Sequence, residues 1–138
     1  MAKKSLTYLI YNDLSAAVNG LAKKTFFGRP KTTNEELTDF LVIQPMTTLN
    51  GWVARDRDMV ADCYGTIDVY CKAKSDGTLN VNTQTVLVQK VVDKFPINGV
   101  HITATNPREL LTGEDNTGYQ VTRITFRVRT KLNARNTQ

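Results

Sequence analysis

Histidine and cysteine are scarce in this chain of 138 residues, which has one histidine, His101, and two cysteines, Cys63 and Cys71. Structural zinc sites take about four cysteine or histidine ligands in closely spaced pairs, and the sequence has no such pairs. Nucleophilic catalysis needs a base within hydrogen-bonding reach of the nucleophile, and no G-x-S-x-G turn surrounds any serine. We therefore predict no catalytic residue, no metal site and no cofactor, in a protein that is not an enzyme.

Long apolar runs are missing as well. The longest are a few residues, such as Leu41–Ile43 and Val86–Val88, whereas a membrane-spanning helix needs about 20 apolar residues. Near the amino terminus, Asn12 and Asp13 interrupt the apolar positions before the core of an export signal develops. The sequence therefore predicts no membrane contact and no export.

The spacing of the cysteines excludes a disulfide between them if both lie on one strand. Eight residues of strand separate the Cα atoms of Cys63 and Cys71 by about 26 Å. A disulfide requires Cα atoms within about 7 Å of each other. We predict two small buried thiols, as in a reducing compartment.

The overall balance of residues is that of one globular domain. Hydrophobic residues make up 41% of the chain and charged residues 22%, which argues against a disordered or fibrous protein. Eighteen basic residues against thirteen acidic ones give a net charge of +5. This excess suits an anionic partner but does not identify one.

Two segments carry apolar residues at helical spacing. The first, Leu6–Leu21, has apolar residues at steps of three and four, and Ser5 is its predicted cap. The second covers Val86–Phe95, with Asn82 as its predicted cap and Pro96 at its end. Each segment offers one apolar stripe for packing on a sheet.

Four other segments have the alternating or short apolar pattern of strands. They are Thr38–Gln44, Asp62–Ala73, Val100–Thr105 and a last strand from Tyr119 to about Lys131. In Asp62–Ala73, the small and apolar alternate residues form the predicted core face: Cys63, Gly65, Ile67, Val69, Cys71 and Ala73. In Val100–Thr105, His101 falls among the polar alternate positions.

The order helix, strand, strand, helix, strand, strand predicts an α+β fold, with a mainly antiparallel mixed sheet and two helices packed on one face. Residues 1–138 form a single domain, with an extended arm at about 46–60 and a basic carboxyl-terminal tail at about 131–138. We expect a turn at Asn50–Gly51 within the arm, and one helical turn at Pro107–Leu111.

The last predicted strand has the strongest charge bias. Arg123, Arg127 and Arg129 share one face of it, opposite Ile124, Phe126 and Val128, and Lys131 follows. Three interpretations stay open for these basic residues. They contact a nucleic-acid backbone, they pair with acidic surfaces of neighbouring subunits, or they form a solvated sheet face.

The arm offers a candidate subunit interface. It contains the single tryptophan, Trp52, followed by charges that alternate in sign at Arg55, Asp56, Arg57 and Asp58. An aromatic residue next to charges of both signs is typical of interface material rather than of a core. We predict that these five residues contact a neighbouring molecule.

The order of these features resembles that of the tail terminator and tail-completion proteins of long-tailed bacteriophages. An amphipathic helix, Leu6–Leu21, leads through an aromatic, basic and proline-containing break, Phe26–Pro30, into the apolar strand Phe40–Pro45. The arm, the strand Tyr64–Lys72, the helix Val86–Phe95 and two closing strands follow. The resemblance covers residues 5 to about 130.

The resemblance implies a structural virion protein that assembles as a ring, commonly a homohexamer, at the head-proximal end of the tail. Such a ring ends growth of the tail tube and joins the tail to the neck. The implied partners are other copies of the chain, the major tail tube protein and the neck or connector proteins, with DNA only as passing cargo. The implied location is the virion, after synthesis in the cytoplasm of the bacterial host.

Simple geometry is compatible with a ring. A domain of this length is about 37 Å across, and six in contact enclose a hole about one domain wide. Two alternatives remain: a head-completion or adaptor ring of the neck, and a small basic nucleic-acid-binding module.

Overall fold

The computed structural model describes residues 6–28, 38–44, 47–55, 58–73, 80–114 and 118–130. These ranges contain the helices α1 (Leu6–Val18) and α2 (Val81–Val92). They also contain seven strands: β1 (Thr25–Phe27), β2 (Asp39–Ile43), β3 (Thr47–Arg55), β4 (Asp58–Lys72), β5 (Ile97–Asn98), β6 (Ile102–Glu114) and β7 (Tyr119–Thr130). No helix within these ranges has the length and apolar character to cross a membrane.

Strand β4, at fifteen residues, organises the sheet. One of its edges pairs with β7 along Asp62–Lys72. Its other edge pairs with β3 in the first half and with β2 in the second. The strand order is β1-β2-β4-β7-β6-β5, with β3 beside β4, and β1–β2 is the one parallel pair among the described strands. The predicted α+β class with a mainly antiparallel mixed sheet is confirmed.

Both helices pack on the same face of the sheet, as predicted. Apolar residues one helical turn apart supply the contacts from α1 (Ile10, Leu14 and Val18) and from α2 (Leu87, Val88 and Val91). They meet Cys63, Ile67 and Val69, three of the residues of β4 that were predicted to face the core, together with alternate residues of β7. Ile67 of β4 and Ile124 of β7 are both 0% exposed and lie opposite each other in the ladder. Burial of this face is the main stabilising contribution to the fold.

The helix boundaries differ from the predicted ones at both helices. Helix α1 ends at Val18 rather than Leu21, and Gly20 follows with a φ of +81°, a conformation that favours glycine. Helix α2 begins at Val81, so the predicted cap Asn82 lies inside the helix. The predicted cap of α1, Ser5, lies outside the described residues.

The start of α2 is held by β7 instead of by a side-chain cap. Asn80 is the N-cap residue, and its side chain makes no capping hydrogen bond. Its backbone N–H donates to Oε1 of Gln120 at 2.6 Å, and its carbonyl accepts from Nε2 of the same side chain at 2.7 Å. Because this support comes from a residue forty positions away, no local sequence signal marks where the helix begins.

Two predicted breaks are wrong. The pair Asn50–Gly51 lies within β3, where the register shifts between Thr48 and Trp52, and the hairpin reverses between Arg55 and Asp58. The predicted helical turn at Pro107–Leu111 is strand β6. Within this strand, Asn106 has a φ of +58° and lies where the pairing register with β7 shifts between Thr105 and Arg108. In both places a residue pair typical of turns lies where the pairing register of the strand shifts.

The prediction of two buried free thiols is confirmed. Cys63 and Cys71 are both free and both buried. Burial raises the pKa of the Cys71 thiol, and the negative charge of Asp39, its partner in the ladder, raises this pKa further. The Cys71 thiol is therefore protonated and unreactive at neutral pH.

Candidate assembly surface

The sheet has a second face, opposite the helices, on which no described helix packs. We call it the second face. Along β2, β4 and β7, the alternate residues that do not face the helix-side core lie on this second face. It carries three features in succession: an aromatic cluster, a half-buried ion pair and a groove with two arginines.

The aromatic cluster comprises Phe26, Phe40, Tyr70 and Tyr119, packed with Val42 and Val121. The ring of Phe40 stacks on that of Tyr70, with 4.5 Å between centroids and 9° between planes. Phe26 and Tyr119 meet Phe40 edge-on, at 5.6 and 5.1 Å. Phe40 is 0% exposed. The second face is thus a second small core, although the sequence predicted a core only on the opposite face of β4.

The ion pair joins the two central strands next to the aromatic cluster. Asp68 on β4 is 1% exposed and lies opposite Arg123 on β7. Nε of Arg123 donates to Oδ1 of Asp68 at 2.8 Å, and a terminal guanidinium nitrogen donates to Oδ2 at 3.1 Å. Nε2 of Gln44 donates to the same Oδ2 at 3.0 Å. The hydrogen bond to Asp68 raises the pKa of Arg123, against the opposing effect of partial burial.

This pairing changes the interpretation of Arg123, for which the sequence left a nucleic-acid backbone, a neighbouring subunit or solvent open as the partner. It lies on the second face, where its charge is balanced within the chain by a buried carboxylate. Bidentate arginine–carboxylate pairs are among the strongest protein hydrogen bonds. Arg123 is therefore a structural residue of the second face.

Replacing Arg123 with alanine should lower the free energy of unfolding by about 1–2 kcal/mol. The cost is below the roughly 3–5 kcal/mol of a fully buried pair, because the Arg123 side chain is 43% exposed. Urea denaturation measures the loss. The double variant Asp68→Asn/Arg123→Ala should recover part of it, because no buried charge is left unpaired. A single variant as stable as the wild type would contradict this assignment.

The groove lies on the second face beyond the ion pair, with a cavity volume of about 480 Å³. Three strands line it, mainly with polar and basic residues: Tyr64 and Thr66 from β4, Asn106 and Arg108 from β6, and Thr125 and Arg127 from β7. Tyr64 is 47% exposed and Arg108 is also exposed. None of the described lining residues is acidic, so the groove suits an anionic group.

The predicted basic residues fall into three environments. Arg127, half-buried, lies in the groove opposite Tyr64, and Arg129 is exposed on the same side of β7, opposite Asp62. Arg123 belongs to the ion pair, and Lys131 lies outside the described residues. Arg108 was missed, because the sequence assigned its segment to a helical turn. Its place is set by the irregularity in β6, which puts it opposite Thr125.

The predicted arm is the hairpin of β3 and β4. Trp52 lies opposite Ala61 and Arg55 opposite Asp58, while Asp56 and Arg57 lie outside the described residues. Along β4, pairing with β7 starts at Asp62, so Asp58–Ala61 lie outside that ladder. The segments Trp52–Arg55 and Asp58–Ala61 therefore form a two-stranded extension, which we call the ribbon, and among the described strands each has only the other as a partner.

The described residues include no group of three or more histidine, cysteine, aspartate or glutamate side chains placed to hold a metal ion.

Of the three comparisons with known proteins, only the comparison with solved structures gave matches. No family model matches the chain, and no curated protein matches its sequence. Among solved structures, it is similar to a chain of the virion of a native gene transfer agent particle. The TM-score is 0.55 with 13% sequence identity, and the match covers 91% of this chain and 94% of the other. At this identity the likeness shows that the two chains share a fold over nearly their whole lengths.

Proposed function

We propose that this protein is a structural, non-catalytic component of a phage-type virion. It forms a ring, with six copies as the number to test first, at the head-proximal end of the tail, where it ends tube growth and joins the tail to the neck. Its partners in this role are its own copies, the major tail tube protein and the neck proteins, with DNA passing through the ring.

One observation carries the virion part of the proposal. The fold matches that of a virion chain over nearly all of both chains, with 91% and 94% of the two covered. A shared fold does not by itself establish a shared function, and the proposal therefore also depends on features of this chain.

The ribbon supports the assembly part of the proposal. An isolated two-stranded hairpin is at best marginally stable in water, so a projecting one needs packing from elsewhere. Six of its eight residues are apolar: Trp52, Val53, Ala54, Met59, Val60 and Ala61. Apolar residues on an extension of this kind favour burial against another molecule. Trp52, Arg55 and Asp58, three of the five residues predicted from sequence as an interface, lie in this ribbon.

The ion pair makes a general nucleic-acid-binding module the weaker candidate. Binding to a nucleic-acid backbone depends on how many phosphates the basic residues neutralise. The charge of Arg123 is already paired with that of Asp68, so fewer basic residues of β7 are left to neutralise phosphates. A channel wall through which DNA slides needs fewer fixed contacts than a specific binding site.

Removing the ribbon should abolish ring formation and leave the domain folded. Deleting residues 52–61 joins Gly51 to Asp62 and leaves a four-residue loop between Thr48 and Cys63, which pair in the ladder. The loop keeps Asn50–Gly51, a favourable turn pair. We expect light scattering to show monomers of the variant. Electron microscopy should show capped tail tubes when the tubes are mixed with the wild type, and uncapped tubes when they are mixed with the variant.

The thermal midpoint of the deletion variant is the control, because the core of the domain is outside the deleted segment. A wild-type protein that stays monomeric and binds no tail tubes would contradict the proposed ring. Binding to portal or capsid-side particles instead of tubes would assign the protein to an adaptor ring of the neck.

A further inference from the structure

The sheet has two long edges that pair with no second strand among the described ones: the outer edge of β6 and the outer edge of β3. We infer that β6 of one copy pairs with β3 of the next copy, which continues the sheet from molecule to molecule. The inference rests on the proposed function, because it depends on the protein forming a ring, and it names the surface to which the ribbon binds.

The outer edge of β6 is open over the second half of the strand. Among the described strands, β5 covers this edge only at Thr103 and Ala104. Pro107 has no N–H group to donate, so the segment that can take a further strand is 108–114. Leu110 in this segment is 58% exposed. A large apolar side chain on an open edge favours pairing with another strand.

The direction of the backbone groups of β6 follows from the alternation of hydrogen bonds across the sheet. The N–H of Gln44 donates to the carbonyl of Thr66 at 2.9 Å, so Thr66 faces away from β7. Opposite Thr66, Thr125 therefore faces β6, and Arg108 opposite Thr125 faces back to β7. Glu109, the next residue, thus directs its N–H and C=O to the outer edge.

The outer edge of β3 lies on the other side of the sheet. Among the described strands, β3 pairs only with β4, so its second edge is open along Thr47–Arg55. By the same alternation along β4, Asp58 faces β3 as Thr66 does, and Arg55 opposite it faces back. Ala54, the preceding residue, therefore directs its N–H and C=O outward from the ribbon.

The two edges cannot meet within one molecule. In the order β3-β4-β7-β6, three gaps between strands separate them, a distance of about 14 Å. All three strand pairs are antiparallel, so β3 and β6 run in opposite directions. When the next copy continues the sheet, its β3 therefore lies antiparallel to β6, as neighbouring strands do within each copy. Such a contact is heterologous, and it closes into a ring when the rotation between copies permits.

Strand β1 is the weaker candidate for the partner of β6. The N–H of Gly28 donates to the carbonyl of Ile43 on β2 at 2.8 Å, so the N–H and C=O of Phe27 face outward. However, β1 is 3 residues long, whereas β3 is 9. Because the number of backbone hydrogen bonds grows with the length of the paired strands, β3 offers the larger contact.

Two substitutions at one position test the contact. Glu109→Pro removes the outward N–H, whereas Glu109→Ala removes the charged side chain and keeps the N–H. We expect Glu109→Pro to weaken self-association by at least about tenfold in sedimentation velocity, and Glu109→Ala to associate like the wild type. Both should keep the circular dichroism spectrum of the folded chain, because β7 does not bind the N–H of Glu109.

Hydrogen exchange of the wild type tests the same contact without a substitution. On passing from the monomer to the assembly, free or on tail tubes, the amides of Glu109 and Ala54 should exchange at least about tenfold more slowly. The amide of Phe27 is the control, because it faces outward on β1 and should keep its rate.

The outcomes separate this inference from the ring itself. If the wild type does not associate alone or on tail tubes, the proposed ring is wrong and the inference with it. If the wild type associates and folded Glu109→Pro associates equally well, the ring stands and the inference is overturned. Slower exchange at Glu109 together with Phe27 instead of Ala54 would also overturn it, in favour of β1. Slower exchange at Glu109 alone would indicate pairing of β6 with β6 and would overturn it too.

Discussion

Replacing Phe40 with alanine should lower the free energy of unfolding by about 3–5 kcal/mol, the range for truncating a buried phenylalanine. The side chain is 0% exposed and is enclosed by three other aromatic rings of the second face. The substitution removes the stacked pair with Tyr70 and leaves a cavity between β2 and β4. Stacked and edge-on aromatic pairs contribute about 0.5–1.5 kcal/mol beyond the area that they bury.

Chemical denaturation followed by circular dichroism measures this loss. Phe27→Ala is the matched control, because Phe27 is the same residue type on the neighbouring strand β1 but is 56% exposed. Its ring stacks on Tyr11 of α1 at 4.9 Å, so we expect a cost of about 1 kcal/mol. If the two variants lost the same stability, the second face would not be a core.

The second face also shows what the sequence could not predict. The alternation of small apolar and polar residues along β4 predicted the helix-side face, since a period of two is a local property. By the same rule, Asp68 and Tyr70 fall on the face opposite the predicted core face, for which the sequence predicted no core. They are buried by residues far away in sequence, because Arg123 lies 55 positions after Asp68 and Phe40 comes from β2. Such burial depends on strand pairing.

The groove could not be predicted from the sequence for a related reason. Its lining comes from three strands, and one of its two arginines, Arg108, owes its position to the irregularity at Asn106 and Pro107. A proline after an asparagine is typical of a turn or of the start of a helix. Only the neighbouring strand β7 decides that the chain continues as a strand here. By contrast, Arg127 was predicted on its face, because β7 alternates regularly.

His101 and Asp13 show how a long-range contact changes the interpretation of a polar residue. The sequence placed His101 on the polar side of a strand, yet it is 7% exposed and precedes β6. Its backbone N–H donates to Oδ2 of Asp13 on α1 at 2.6 Å, and the N–H of Ile102 donates to the same oxygen at 3.0 Å. Asp13, which interrupts the apolar pattern of α1, thus attaches that helix to the start of β6.

Replacing Asp13 with alanine should therefore lower the free energy of unfolding by about 2–4 kcal/mol. Two buried backbone donors lose a charged acceptor, and each such hydrogen bond contributes about 1.5–3 kcal/mol to stability. Water that enters the space left by the carboxylate replaces part of this contribution. Asp13→Asn is the conservative control and should cost less, because its amide oxygen can accept both bonds. Urea denaturation distinguishes the two variants.

Gly99 provides an independent test of the same contact. A Cβ atom at this position would lie 2.5 Å from Oδ2 and 2.7 Å from Cγ of Asp13, so Gly99→Ala must displace the carboxylate from its two donors. We expect it to cost about 1–3 kcal/mol alone, but little more once Asp13 is already alanine, because the clash and the hydrogen bonds disappear together. The double variant should then be more stable than the sum of the single losses predicts, by at least about 1 kcal/mol. Additive losses would mean that Gly99 acts through something other than Asp13.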